Sequence, residues 1–148
     1  MKNVILFVFV IAFCFSCNKD EKQAEEDRQI ILDYIEDNDL DAIEGDQGLF
    51  YVVDVQGSGA SPNSSSSVTV DYVGYFTDGD IFDQSGAGGS TFPLTSVIEG
   101  WQIGIPYYNE GGQGTLLIPS ALGYGKDGSG SIPGNTVILF DIDLIDVQ

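Results

Sequence analysis

This chain has few of the residue types that ordinarily do covalent or metal chemistry. Histidine is absent, and the two cysteines, Cys14 and Cys17, both lie in the first stretch. A zinc site therefore lacks its usual ligands, and a Ser-His-Asp triad is excluded. That leaves the sole tryptophan as the residue to start from. Trp101 ends the short apolar stretch Val97-Ile98-Glu99-Gly100-Trp101, with a glycine directly before it and β-rich sequence on both sides. An indole in that setting is a floor, either of a core or of a pocket.

The elements that must position it begin after a leader. Lys2 supplies a positive charge, and Val4 to Phe13 is an unbroken apolar run. That run is shorter than the roughly 20 residues of a spanning helix and has the length of a signal-peptide core. Cys14-Phe15-Ser16-Cys17 then leads into the charged run Asn18 to Lys22. A small residue before a cysteine at this point resembles a bacterial lipobox, although Cys14 stands where an aliphatic residue is usual. The resemblance implies a lipoprotein signal peptide over residues 1–16, cleavage before Cys17, and a lipid on its sulfur. A lipidated mature chain then holds no free thiol or disulfide and folds from its core alone. With 5 basic against 23 acidic residues, the chain is unsuited to nucleic acid, whose phosphates call for basic surface. It is equally unsuited to direct binding of anionic lipid, so membrane attachment is expected through the lipid.

Residues 17–48 read as an acidic tether and an N-terminal helix. The tether covers 18 to about 29, and Ile30, Ile31, Tyr34 and Ile35 recur at helical spacing over Glu25 to Asn38. From residue 49 the pattern turns to strand. Leu49 to Val55 is rich in β-branched and aromatic residues, and Gly57 to Ser67 is a loop by composition. In the next strand Val68, Val70 and Tyr72 share one face. Asp78-Gly79 predicts a hairpin turn, Ile81-Phe82-Asp83 the return strand, and Thr91 to Leu94 a short strand with a proline suited to an edge. Ser96 can cap a short helix reaching about Ile105, with Pro106 at its end. Gln113 to Ile118 is a strand and Pro119 to Gly123 one helical turn. Thr136 to Val147 is the longest strand, with Ile138, Phe140, Ile142 and Leu144 on one face. A sheet with one apolar face must be covered, and the short helix is the available cover. The expected fold is α+β, an antiparallel β-sheet curled around a short central α-helix.

The order of these pieces resembles the FKBP-type peptidyl-prolyl cis-trans isomerases. The resemblance is carried by Val68-Thr-Val-Asp-Tyr72-Val-Gly74, Asp78-Gly79, Phe82-Asp83, Phe92-Pro-Leu94, Val97-Ile98-Glu-Gly100-Trp101, Gly104, Gly111-Gly112-Gln113, Ile118-Pro119, Leu122-Gly-Tyr124-Gly125, Ile132-Pro133 and Leu139-Phe140-Asp141. It spans about 68 to 146, and it is the whole set in order that is specific. The leader, the acidic helix and the Gly48-Leu-Phe-Tyr lead-in resemble lipoprotein members from the Bacteroidetes. The domain expected to carry the activity is 49–148.

What the resemblance implies is a pocket and an activity. Trp101 becomes the floor under a proline ring, with Tyr72, Phe82 and Phe140 as walls. The Ile98 N–H and the Tyr124 hydroxyl bind substrate carbonyls, Asp83 orients Tyr72, and Val97 and Ile132 complete the substrate-binding surface. The reaction, rotation about an X–Pro amide, requires no cofactor and no metal. Expected partners are proline-containing polypeptides, the membrane through the N-terminal lipid, and macrolide inhibitors; the protein is expected to be a monomer on the cell envelope, lipid-anchored at the outer membrane on its periplasmic or surface face. Two departures bear on specificity. Gly89, Ser90 and Thr91 stand where the family often has a second phenylalanine, and Gly128-Ser129-Gly130 where many members have a histidine and a proline. A non-catalytic proline-binding, chaperone-like or scaffold lipoprotein is the alternative reading; the short loop Gly125 to Ser131, which holds no inserted chaperone domain, lowers its chaperone-like form without removing it.

Overall fold

Alternation of apolar side chains builds the sheet, and its period places two separate cores on the two faces. The computed structural model describes residues 17–148; the expected signal peptide and its cleavage site lie outside the described residues, as does the side chain of Cys17. Seven strands are described: β1 (Ala42–Glu44), β2 (Phe50–Val55), β3 (Ser67–Tyr75), β4 (Ile81–Gln84), β5 (Ser90–Pro93), β6 (Gln113–Ile118) and β7 (Ile138–Val147). All pair antiparallel in one sheet, in the order β1-β2-β6-β7-β3-β4. The long β3 shares one edge between two partners, β5 along Ser67–Val70 and β4 along Val73–Tyr75.

The main core lies under the short helix α2 (Glu99–Gly104). There Val68 and Val70 of β3, Leu116 and Ile118 of β6, and Ile138, Phe140, Ile142 and Leu144 of β7 are buried with Trp101. This is the α+β arrangement expected, an antiparallel sheet over a short helix. Two glycines one helical turn apart let α2 lie close on β6. A Cβ at Gly100 would stand 2.6 Å from the Ile118 side chain, and one at Gly104 would stand 2.7 Å from Leu116.

The second core lies on the opposite face under α1 (Cys17–Asp37). Ile31 of α1 is buried there with Phe50, Val52, Leu117, Val137 and Leu139. From Val137, just before β7, the outward residues change from Val137 and Leu139 to Asp141 and Asp143. The buried outward positions are those that pack with α1.

Three elements differ from the sequence expectation. α1 starts at Cys17 rather than near Glu25, so the stretch expected as a tether is helical. Its helical period runs on through residues too charged to show an apolar stripe, and its buried contact there is a carboxylate, Asp27, 1% exposed. β1 was not foreseen, because three residues beside an edge carry too little pattern. α2 starts at Glu99, with Ile98 as its N-cap and no side-chain cap bond. Ser96 instead donates its hydroxyl to the Pro93 carbonyl at 2.9 Å, within the preceding 3-10 turn Leu94–Ser96. The Asp78-Gly79 turn forms as expected, with Gly79 at φ 91° and the Asp80 N–H donating to Asp78 Oδ1. Among the described residues no helix is long and apolar enough to cross a membrane.

Candidate active site

The side chains of the site come from several elements, and the sheet register brings them together. Tyr72 of β3 is paired with Ile142 of β7, and Gly74 with Phe140. On the other edge Gly74 is paired with Asp83 of β4. Tyr72, Phe140 and Asp83 therefore gather at one corner of the sheet, and α2 lays Trp101 against it. Gly74 is glycine for a packing reason: a Cβ there would stand 2.7 Å from the Phe140 ring and 2.8 Å from the Phe82 ring.

A cavity of about 280 Å³ opens at this corner, lined by Tyr72, Asp83, Phe92, Ser96, Val97, Ile98, Trp101, Tyr124 and Phe140. Trp101 is 4% exposed. Three rings meet the indole nearly at right angles, with centroids 5.1 Å away for Tyr72, 5.8 Å for Phe92 and 5.2 Å for Phe140. Such edge-to-face contacts match the positive ring edge to the negative π face. They also hold the walls upright, leaving the cavity open rather than collapsed.

The polar groups of the cavity are few. Tyr72 donates its hydroxyl to Asp83 Oδ2 at 2.9 Å. Burial, and then that carboxylate acceptor, push the Tyr72 phenol up to about 12. The Tyr124 phenol is also raised, by burial first and by the Asp83 charge second. Both hydroxyls are thus protonated donors at neutral pH. Among the described residues the Ile98 N–H and the Tyr124 hydroxyl have no hydrogen-bond partner, and the Ile98 carbonyl is taken by the Trp101 and Gln102 amides. The buried indole N–H of Trp101 also lacks an acceptor among them.

Of the nine residues singled out from sequence, Tyr72, Asp83, Val97, Ile98, Trp101, Tyr124 and Phe140 line this one cavity. Phe82 stands behind it, edge-on to Phe140 at 5.5 Å and against Phe76 at 5.0 Å. Ile132, 8% exposed, is part of the main core. Phe92 and Ser96 line the cavity but were not among the expected site residues. The sequence signal for Phe92 is its place in the Phe92-Pro-Leu94 piece of the family resemblance; the structure sets it directly opposite Val68, which is buried on the cavity side of β3.

An aromatic cavity with unpaired donors at its rim, on an antiparallel sheet wrapped over a short helix, is the arrangement that the resemblance to the prolyl isomerases implies. Comparison with known proteins agrees. The sequence profile of the FKBP-type peptidyl-prolyl cis-trans isomerases matches residues 59–145, and the chain belongs to that family. It is 42% identical over 105 residues to the FKBP-type peptidyl-prolyl cis-trans isomerase FkpA of Aeromonas hydrophila, covering 70% of this chain and 39% of the relative. The chain thus spans about two fifths of the length of that relative. Among solved structures, a peptidyl-prolyl cis-trans isomerase from Pseudomonas syringae superposes with a TM-score of 0.76 at 32% identity, over 86% of this chain and 95% of that one. FkpA from Escherichia coli superposes with a TM-score of 0.75 at 35% identity, over 89% of this chain and 64% of that one.

Proposed function

We propose that this chain catalyses cis-trans rotation about X–Pro bonds in polypeptides of the cell envelope, held there by a lipid on Cys17. The observation that carries the reading is the aromatic cavity over Trp101 beside the unpaired Ile98 N–H. Rotation about a peptide bond faces a barrier of about 18–20 kcal/mol, because resonance places double-bond character and charge separation in the planar amide. The twisted transition state loses that separation. An apolar cavity therefore destabilises the planar form more than the twisted one, which is differential binding of the transition state. Each tenfold in rate needs only about 1.4 kcal/mol.

In this reading the proline ring lies on Trp101 between Tyr72, Phe92 and Phe140. The Ile98 N–H and the Tyr124 hydroxyl donate to substrate carbonyls flanking the bond and fix the peptide while the amide turns. Asp83, accepting from Tyr72, holds that ring upright and sets a negative edge to the cavity. No atom of the protein forms or breaks a bond. The leader supports export, and the charged run after Cys17 suits a lipoprotein. Mass spectrometry of the native N-terminus tests the anchor, and an unmodified Cys17 would remove it.

The test of the activity is the isomerisation rate of a short X–Pro peptide with purified residues 18–148. Acceleration at micromolar protein is expected, and its absence would sink the enzymatic reading in favour of a proline-binding or scaffold role. Asp83→Ala and Tyr124→Phe are each expected to lower the rate roughly tenfold, the scale of one lost hydrogen bond. An intact rate in both variants would show that the site has been assigned to the wrong residues.

A further inference from the structure

The loop that carries Tyr124 is fastened from behind by a residue of α1. Asp27 is 1% exposed, on a helix that lies outside the span matched by the isomerase family. Its Oδ2 accepts two hydrogen bonds from one residue of that loop, the Ser120 N–H at 2.8 Å and the Ser120 hydroxyl at 2.6 Å. Its Oδ1 accepts from the Gln23 side chain at 2.8 Å, so both oxygens are satisfied. Ser120, 2% exposed, opens the 3-10 turn Ser120–Leu122, whose own N-cap Pro119 makes no side-chain cap bond. Asp27 supplies that cap from 93 residues away in sequence.

The connection to the cavity runs through the Ser120 carbonyl. It accepts the Gly123 N–H at 3.1 Å and the Gly125 N–H at 2.8 Å, the two amides on either side of Tyr124. The Tyr124 backbone is thus tied to Ser120 on both flanks, and Ser120 is tied to α1. Gly125, at φ 64°, turns the chain away immediately afterwards. The direction in which the Tyr124 ring enters the cavity depends on where Ser120 sits.

We propose that Asp27 is a positioning residue for the isomerase site: it fixes Ser120, and through Ser120 the Tyr124 hydroxyl, making α1 a working part of the active site. This rests on the assignment of Tyr124 as a substrate donor made above. A buried carboxylate with three donors orients its neighbours more sharply than an apolar contact would. Small displacements of a substrate-binding group are costly in rate.

The test measures peptide isomerisation and amide hydrogen exchange in Asp27→Ala and Asp27→Asn, each made with Tyr124 present and with Tyr124→Phe. Asp27→Ala is expected to lower kcat/KM roughly tenfold when Tyr124 is present, and less than about twofold when its hydroxyl is already gone. Asp27→Asn keeps an acceptor for Ser120 and can donate to Gln23 after that amide turns over; it is expected to restore most of the rate. Exchange of the Gly125 amide is expected to quicken in Asp27→Ala and not in Asp27→Asn. Equal losses in both Tyr124 backgrounds would overturn the proposal, since a general loss of stability acts alike on both. Unchanged exchange at Gly125 would overturn it too. An inactive parent chain would count against the enzymatic reading instead, and the exchange measurement would still decide whether Asp27 holds the loop.

Discussion

Phe140 belongs to the cavity and to the main core at once. Its ring is 3% exposed and meets Tyr72, Phe82 and Trp101 edge-on. Removing it empties a wall of the cavity and a corner of the main core at once. Phe140→Ala is expected to cost about 3–5 kcal/mol of stability, read by denaturant unfolding, and to lower the isomerisation rate well below the melting point. A rate kept at the parent level would separate the wall from the activity. The tyrosines set the alkaline limit of the fold. Tyr72 is raised to about 12, Tyr124 is raised with it, and the more deeply set Tyr75 and Tyr108 are raised as well, all by burial first. In the unfolded chain these phenols ionise near their ordinary value of about 10. The folded state holds its protons to higher pH, so their contribution is complete below about 10 and is lost as pH rises through the raised values. The thermal midpoint is therefore expected to fall steeply from about pH 10 upward; a midpoint unchanged to about pH 12 would contradict the burial of these hydroxyls.

At the scale of elements, the strands were legible because period two is hard to mistake when both β-branched and aromatic residues obey it, as in Val68-Thr69-Val70-Asp71-Tyr72. The register that gathers Tyr72, Phe140 and Asp83 was not, since nothing in a single sequence pairs Gly74 with both Phe140 and Asp83. It was the resemblance in motif order that placed them in one pocket. α1 was legible only where its residues are apolar. Its first half touches the domain through Asp27, and a buried carboxylate reads as surface charge until its partner Ser120 is seen. The energetic weight of α1 falls on Ile31, 0% exposed in the second core. Ile31→Ala is expected to cost about 2–5 kcal/mol. Ile30→Ala, at a site 41% exposed, is expected to change stability by no more than about 0.5 kcal/mol. Chemical denaturation of the two variants checks this, and equal midpoints would mean that α1 is laid on the sheet without holding it.

Over the whole molecule, self-repulsion of like charges opposes the compact state. The chain carries a net charge of −18. The described ion pairs are Lys22–Glu26, Arg28–Glu44 and Lys126–Asp127, all between exposed side chains. Each is worth about 0–1 kcal/mol at most. Against them stand acids placed side by side by the sheet itself. Asp71 and Asp143 are directly opposite in the β3–β7 register, and with Asp54 and Asp141 they surround one depression of about 430 Å³ on the solvent face. Like charges facing across strands are destabilising. Salt thus acts in two directions, weakening the ion pairs and relieving repulsion among acids that outnumber the basic residues 23 to 5, and the second effect is expected to win. Raising ionic strength from about 10 mM to about 150 mM shortens the screening length from about 30 Å to about 8 Å, less than the span of the domain. The thermal midpoint is expected to rise by about 4 °C over that range, corresponding to roughly 1 kcal/mol. Asp143→Asn is expected to raise the low-salt midpoint and to shrink the salt response, since it removes one member of the facing pair. A midpoint that fell with added salt would mean that the three ion pairs outweigh the repulsion, and would reverse this account of the acidic surface.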